Sequence, residues 1–580
     1  MKTRLRLAVL VSTFCCTAAH AGTLTPLAQQ PPDFVGLPLL LTDGSVMFQG
    51  SALSNWWKLT PDANGSYVNG TWSQLASIPY TWNYAPYAFA SAVLADGRVI
   101  IEGGEYNENG PFSITNKGAI YDPVGDFWTP VAPPPGWSTI GDSASIVMPN
   151  GKFLLGDKIT TRIAELDPAT MTWTALAAAG KADFNAEEGW TLLPDGSILT
   201  VDVLNAPATE RYTYVDASQG GHWDSAGATP KSLAFNFGDT AIPFNGGSYL
   251  PPGETGPCIL RPDRTVFCTG ASDDSLQNFA HTAIFSLDSG TWSAGPDFPP
   301  GDDAGDASAT LLPNGNVLVA ATSGTLYEFD GNQLHAGATA PPGALLIGLP
   351  SGETLVATEA TVSTTPGSIV PYVALYRSST GVGSAAWAPT IANVPSTLTP
   401  GNSYAVSGTQ FNGLSQAQAF GDELVAPTNY PLVRITNTAT HHVVYAHTHD
   451  HSTMGVATGS AVVSTTFDVP LTIEPGPSTL EVVANGIASA PASVDVASTA
   501  TPFAIVPGLT GSWYDAQQSG HGFEVEVLPG NPRQIALFWF VFAPDGSETW
   551  IAGSGPVSGD HAQVQAYQIA GTGALFPPHF

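Results

Sequence analysis

Carboxylates recur in this sequence at a fixed distance ahead of a repeated turn. Asp142, Glu187 and Asp306 each stand eight residues before the Asp or Asn of such a turn, and Glu254 stands one residue further out. Glu188, Asp239, Asp302 and Asp303 lie close to them in the chain, as do the aromatic residues Trp82, Tyr84, Tyr87 and Trp137. Carboxylates that converge in a partly dry site raise one another's pKa or hold a cation. An oxygen-only donor set favours calcium over copper or zinc. Between aromatic walls, the same acids suit a sugar-like ligand, bound or acted on by an acid–base pair. Repetition has a structural reading as well, in which each acid accepts amide hydrogen bonds from the adjoining unit and locks neighbours together.

A second group is the run THHVVYAHTHDHS, which places His441, His442, His447, His449, Asp450 and His451 within eleven residues. Strand alternation puts His447, His449 and His451 on one face, and three imidazoles on one face suit a transition metal. An exposed loop is the alternative reading of the same run.

The elements that must position these groups are short strands. With 61 Gly, 49 Pro and only 11% charged residues, the chain is poor in helix formers and rich in turns. A strand–turn–strand phrase recurs seven times, from LPLLLTDGSVMFQG at Leu37 to ALLIGLPSGETLVAT at Ala344, with turns 37 to 68 residues apart. Asp-Gly or Asn-Gly supplies the positive φ that a tight hairpin needs. Arg264 replaces the glycine in one phrase, which predicts a looser hairpin there. Further strands ending near a Trp follow each phrase, at Trp72, Trp128, Trp173, Trp223, Trp292 and Trp387. Two hairpins per unit at a period near 50 residues describe a four-stranded blade. The phrases and the YDP…W punctuation resemble the kelch family, which implies a seven-bladed β-propeller over residues 22–388 with the Trp residues packed between sheets.

After Trp387 come strand-rich phrases, including GDELVAPTNYPLVRITN from Gly421, DHSTMGVATG from Asp450 and VVANGIAS from Val482. They resemble the immunoglobulin-like early-set β-sandwich that follows the propeller in galactose oxidase and glyoxal oxidase relatives, here residues 389–498. A linker (499–508) and a small β-module (509–580) complete an all-β chain. The module stops where a strand and turn would normally follow, which reads as truncation or as a need for a partner.

The resemblance implies a test for copper. Radical oxidases of that superfamily use two Tyr and two His ligands, one Tyr–His pair being adjacent in the propeller, and a Tyr–Cys thioether. His451 is the counterpart of the second His that the resemblance suggests. The propeller here has His222, His281 and His335 but no Tyr-His dipeptide. The residues therefore argue against copper radical chemistry.

Residues 1–21 read as a signal peptide cleaved after Ala21: a basic start (Lys2, Arg4, Arg6), an apolar run from Leu7 to Ala18, and Ala19-His20-Ala21. That run is shorter than the roughly 20 residues a bilayer needs. A secreted or periplasmic chain then keeps two cysteines, Cys258 and Cys268, read as a disulfide across a hairpin, with two buried thiols as the alternative. A formal charge of −31 excludes nucleic acid as a partner. The expected function is binding of extracellular carbohydrate or a surface partner at an acidic, aromatic propeller mouth. The alternative is a galactose oxidase-like oxidoreductase or glycan-active enzyme with a diverged site.

Overall fold

The computed structural model describes residues 22–568, apart from 109, 217–219, 235–241, 245–246, 250–252, 273–279, 359–370, 382, 422, 499–503, 515–520 and 544–545. The chain divides into two compact units, one ending at Ala497 and the other beginning at Ser498.

Seven antiparallel sheets of the first unit form the propeller. Each begins with the strand of a repeated phrase: Pro38–Leu40, Ala90–Val93, Ser145–Val147, Thr191–Leu192, Cys258–Leu260, Ala309–Leu311 and Leu345–Gly348 open blades one to seven. These are the innermost strands. The first contacts both the second and the seventh, and so closes the ring.

The turns explain the repeat. In blade one Leu41 N–H donates to Ser45 O at 2.7 Å, Gly44 N–H returns to Leu41 O at 3.0 Å, and Gly44 has φ 75°. The Asp43 carboxylate accepts the Ser45 N–H at 2.9 Å, and Asp96, Asn150, Asp195, Asp263 and Asn314 make the same bond two residues on. Asp or Asn is thus selected to hold a three-residue loop, and glycine to supply its left-handed residue.

Arg264 departs from expectation. It makes the same pair of turn hydrogen bonds, to Arg261 and through Thr265, with φ 66°. The hairpin is not looser; a non-glycine residue takes the left-handed conformation at a cost of roughly 1–2 kcal/mol. The disulfide Cys258–Cys268 bridges the two strands of this same hairpin, where the two residues are directly opposite. Closing a ten-residue separation constrains the unfolded chain by about 3 kcal/mol. Replacing both cysteines with serine is expected to lower the unfolding free energy by about that amount, read as a lower denaturation midpoint, and reductant is expected to reproduce the shift in the native chain. A midpoint unchanged in both would refute the assignment.

The seventh blade corrects a second expectation. Its outer strand is not near Trp387 but is Thr23–Pro26, paired with Tyr372–Arg377. The chain's first described strand therefore closes the ring, and Trp387 sits half-buried in a single 3-10 turn, Ala385–Trp387, beside Gly315. The other outer-strand Trp residues lock blades together. The indole N–H of Trp72 donates to Gln29 O, of Trp128 to Ala76 O, of Trp173 to Ala132 O and of Trp292 to Ala226 O, each on the preceding blade or its exit.

The sandwich follows from Thr390–Asn393 to Ala492–Val496, packed around Val406, Phe411, Val433, Phe467 and Leu480. Its one excursion matters for function. Gln418–Ala419 pairs with Ala309–Leu311, the inner strand of blade six, and carries the following residues into the centre of the ring. The second unit is an antiparallel sheet running from Gly511–Tyr514 through Gly522–Leu528, Gln534–Phe542 and Glu548–Ser558 to two short strands. Among the described residues no helix is long and apolar enough to cross a membrane.

Candidate functional site at the mouth of the ring

Each inner strand is entered through a joint, and the recurring acids lie there. Ala88, Glu187, Asp306 and Gly343 at the eighth position before the turn, Gly141 at the ninth and Gly253 at the tenth all have positive φ. The joint swings the chain from one blade into the innermost strand of the next. A carboxylate at 187 or 306 therefore sits in a strained left-handed backbone that the surrounding ring must hold.

A cavity of about 460 Å³ opens at this end of the ring. It spans blades six, seven, one and two, bounded by the strand entries at Val35–Leu37, Tyr87–Ala88, Asp306–Ala307 and Gly343–Leu345. Its polar groups include the carboxylates of Glu105, Asp306 and Glu423. Its aromatic walls are Tyr87, Tyr106 and Phe420. Phe420, Glu423 and Leu424 come from the sandwich excursion, which is anchored by the Leu424 N–H to Phe89 O at 3.3 Å and by the Ser91 hydroxyl to Val425 O at 2.6 Å. The Tyr106 phenol is raised above its usual pKa by burial first and then by Glu105 and Asp142, so it stays protonated and able to donate.

Blades three and four fill the other side of the mouth with a buried ion cluster. Lys158, which follows the strand Phe153–Gly156, pairs its ammonium with both Asp142 and Glu187. Asp142, Glu187 and Glu423 each bring a carboxylate oxygen within 4.8 Å of the others. Glu423 thus belongs to both the cluster and the cavity wall.

The remaining acids and aromatics named from sequence are placed elsewhere. Glu188 lies in a separate network with Lys181, Asp183, Asp202 and Glu210, all buried. Burial alone would lower the Lys181 ammonium, but Glu188, Asp183 and Glu210 hold it above its usual value. Burial pushes Glu188 well above the carboxylate range. Asp302 accepts from the Ser323 hydroxyl and the Tyr327 phenol, a blade-six contact. Glu254 is half-buried beside Thr255, whose carbonyl accepts the Asp306 N–H at 3.2 Å. Tyr84 is buried with its hydroxyl on Gly103 O, and Trp82 packs half-buried against the blade-one and blade-two core; neither lines the cavity. Asp239 lies outside the described residues.

The structure separates the three histidines expected on one face. The strand Val443–His449 ends where expected alternation would continue, because Asp450 takes φ 52°. His447 and His449 stay on one face, with Asp468 of the next strand. His451 turns inward, stacked on Tyr430 at 6.2 Å with Nδ1 2.9 Å from the Thr465 hydroxyl. Burial, then His449 and His447, lower its pKa to about 3, so it is neutral. The His451 backbone N–H donates to Ala95 O beside a blade-two turn, at the end of the ring away from the cavity.

Lys158 and Glu423 were missed in the sequence. The signal for Lys158 was its rarity: 17 Lys and Arg in 580 residues make a lysine directly after a buried strand conspicuous. Glu423 carried no such signal, since only the excursion through the ring brings it to the mouth.

The polar groups at the mouth among the described residues are carboxylates, phenols, one amide, hydroxyls and one ammonium. Among the described residues no histidine lines the cavity, and Cys258 and Cys268 are bonded to each other. This set does not fit a copper centre of two Tyr and two His with a Tyr–Cys thioether.

No family model matches the chain. Over 130 residues it is 29% identical to a Kelch-like protein, terF, of Aspergillus terreus, a match covering 22% of this chain and 26% of that one. The chain thus spans about a quarter of the length of that curated relative. Among solved structures it is similar to a fungal alcohol oxidase of the AA5 family in complex with copper, at 13% identity and TM-score 0.45, covering 82% of this chain and all of that one. An auxiliary nutrient-binding protein of Bacteroides thetaiotaomicron aligns at 11% identity and TM-score 0.34, over 61% of this chain and 76% of that one. The described structure is an all-β propeller followed by a β-sandwich, and over 130 residues its sequence is similar to that Kelch-like protein.

Proposed function

We propose that the chain is exported by its first 21 residues and binds extracellular carbohydrate at the propeller mouth. The observation that carries this reading is the joint presence of Glu105, Asp306 and Glu423 with Tyr87, Tyr106 and Phe420 around one open cavity. Carboxylates accept hydrogen bonds from sugar hydroxyls, charge-assisted bonds being worth about 1.5–3 kcal/mol each. Aromatic rings cover the apolar faces of a pyranose, and a few convergent polar groups in a preformed cleft fix its orientation. The disulfide suits an oxidising compartment.

The test is a glycan array probed with the mature chain, followed by titration of the best oligosaccharide. Asp306→Asn and Tyr87→Ala are each expected to weaken binding at least tenfold while leaving the melting temperature unchanged, Tyr87 being exposed. Silence across the array, or a ligand indifferent to both substitutions, would sink the reading.

A further inference from the structure

The sandwich carries a donor set that the mouth lacks. His447 and His449 alternate on the strand Val443–His449, and Asp468 is directly opposite His447 on Val463–Asp468. His447 Nδ1 lies 3.2 Å from Asp468 Oδ2, and His449 Nε2 lies 3.3 Å from Asp468 Oδ1. One donor atom from each residue falls within 4.8 Å of the other two. The two rings are nearly parallel, 23° apart with centroids separated by 5.4 Å.

We infer that His447, His449 and Asp468 form a site for a borderline divalent transition metal, zinc being the type ion. Metal–nitrogen and metal–oxygen bonds of about 2.0–2.2 Å in a tetrahedron put neighbouring donors about 3.3–3.5 Å apart. The observed N···O separations, one to each oxygen of Asp468, are of that order, and long for charge-assisted hydrogen bonds, which run about 2.7–2.9 Å. The orientation is also prepared. Asp450 holds His449 Nδ1 at 2.8 Å, which directs Nε2 to the shared point, and the Ser403 hydroxyl donates to Asp468. A carboxylate behind a ligating imidazole fixes its tautomer and raises its basicity. His447 Nε2 is buried with no hydrogen-bond partner, so that ring's polar interaction is all on the Asp468 side.

The donors are accessible as well as ordered: side-chain exposure is 17% for His447, 22% for His449 and 42% for Asp468. An ion can enter from solvent, and three protein ligands leave a fourth position open for water or a side chain from another molecule. Two imidazoles distinguish this site from the carboxylate mouth, so it selects zinc, nickel or copper rather than calcium. It ties two strands of the sandwich together next to the blade-one and blade-two turns, where the Thr448 N–H meets Thr42 O at 3.3 Å.

The experiment is titration of the full chain with zinc chloride by calorimetry, with cobalt(II) as a spectroscopic substitute. One equivalent is expected to bind, with the intense visible bands of tetrahedral cobalt. His449→Ala and the near-isosteric Asp468→Asn are each expected to weaken zinc binding at least tenfold and to remove those bands. His442→Ala, whose ring pairs with Glu474 away from the site, is expected to change neither. Circular dichroism of each variant separates ligand loss from misfolding. Absence of zinc binding by the native chain would overturn the inference, as would binding that survives Asp468→Asn and His449→Ala in folded variants.

Discussion

Lys158→Met is expected to destabilise the first unit by about 3–5 kcal/mol, the largest single-residue effect at the mouth. The Lys158 side chain is 1% exposed, and its partners Asp142 and Glu187 are 4% and 9% exposed. Methionine fills a similar volume, so the cost comes from carboxylates left buried with no cation rather than from a hole. That cause makes a second outcome specific. Adding Asp142→Asn and Glu187→Gln to Lys158→Met neutralises the stranded charges, and most of the lost stability is expected to return. Urea midpoints of the three proteins decide the matter. A Lys158→Met variant as stable as the native chain would show that the ammonium is dispensable. A triple variant no better than the single one would show that packing, not charge, sets the cost. The same series reports on the mouth, because Glu423 reaches the cavity from this cluster.

The ring was readable because its local chemistry repeats. An Asx residue that caps a three-residue loop and a glycine in the left-handed region each occur in six of seven phrases and together in five, leaving a repeated mark. Ring closure left no such mark. Thr23–Pro26 carries no turn phrase, and Trp387 imitates a blade tryptophan while sitting outside the ring. Arg264 shows the limit of reading glycine as obligatory, since hydrogen bonds around a turn hold an arginine in the same conformation. At the mouth, Asp306 was legible from its fixed offset. The division of the acids into a cavity, a Lys158 cluster and a Lys181 cluster was not, because it depends on which joint residue points toward the axis. Convergence is also non-local: Glu423 follows Asp142 by 281 positions and reaches it only through a strand borrowed by blade six. His451 illustrates a local miss, for period-two alternation fails wherever one residue leaves the extended region, and Asp is among the residues that do so readily.

Asp202→Asn is expected to remove one pH-dependent loss of stability, seen as a difference between native and variant chains that grows with pH. Asp202 follows the blade-four strand Ile198–Val201, and neither of its carboxylate oxygens has a hydrogen-bond partner. Burial, then Asp183, raise its pKa from 3.8 to about 7; Lys181 works against them and Glu210 with them, and Glu188 faces the same space. The unfolded chain releases this proton near 3.8 and the folded chain near 7. Between those values the folded state binds more protons, so stability falls as pH rises through the window and the penalty is complete above it. The full penalty is on the order of 4 kcal/mol at 1.36 kcal/mol per unit. Asparagine cannot ionise, and its amide hydrogens face the Asp183 and Glu210 carboxylates, which lie within reach of the same point. Native and variant chains are therefore expected to have similar urea midpoints at pH 4 and to separate progressively, with the variant the more stable at pH 8.5. Because Glu188 titrates in both proteins, the difference between them isolates Asp202. Curves that stay parallel across that range would mean that Asp202 is ionised in the fold throughout, and that Lys181 compensates four buried carboxylates unaided.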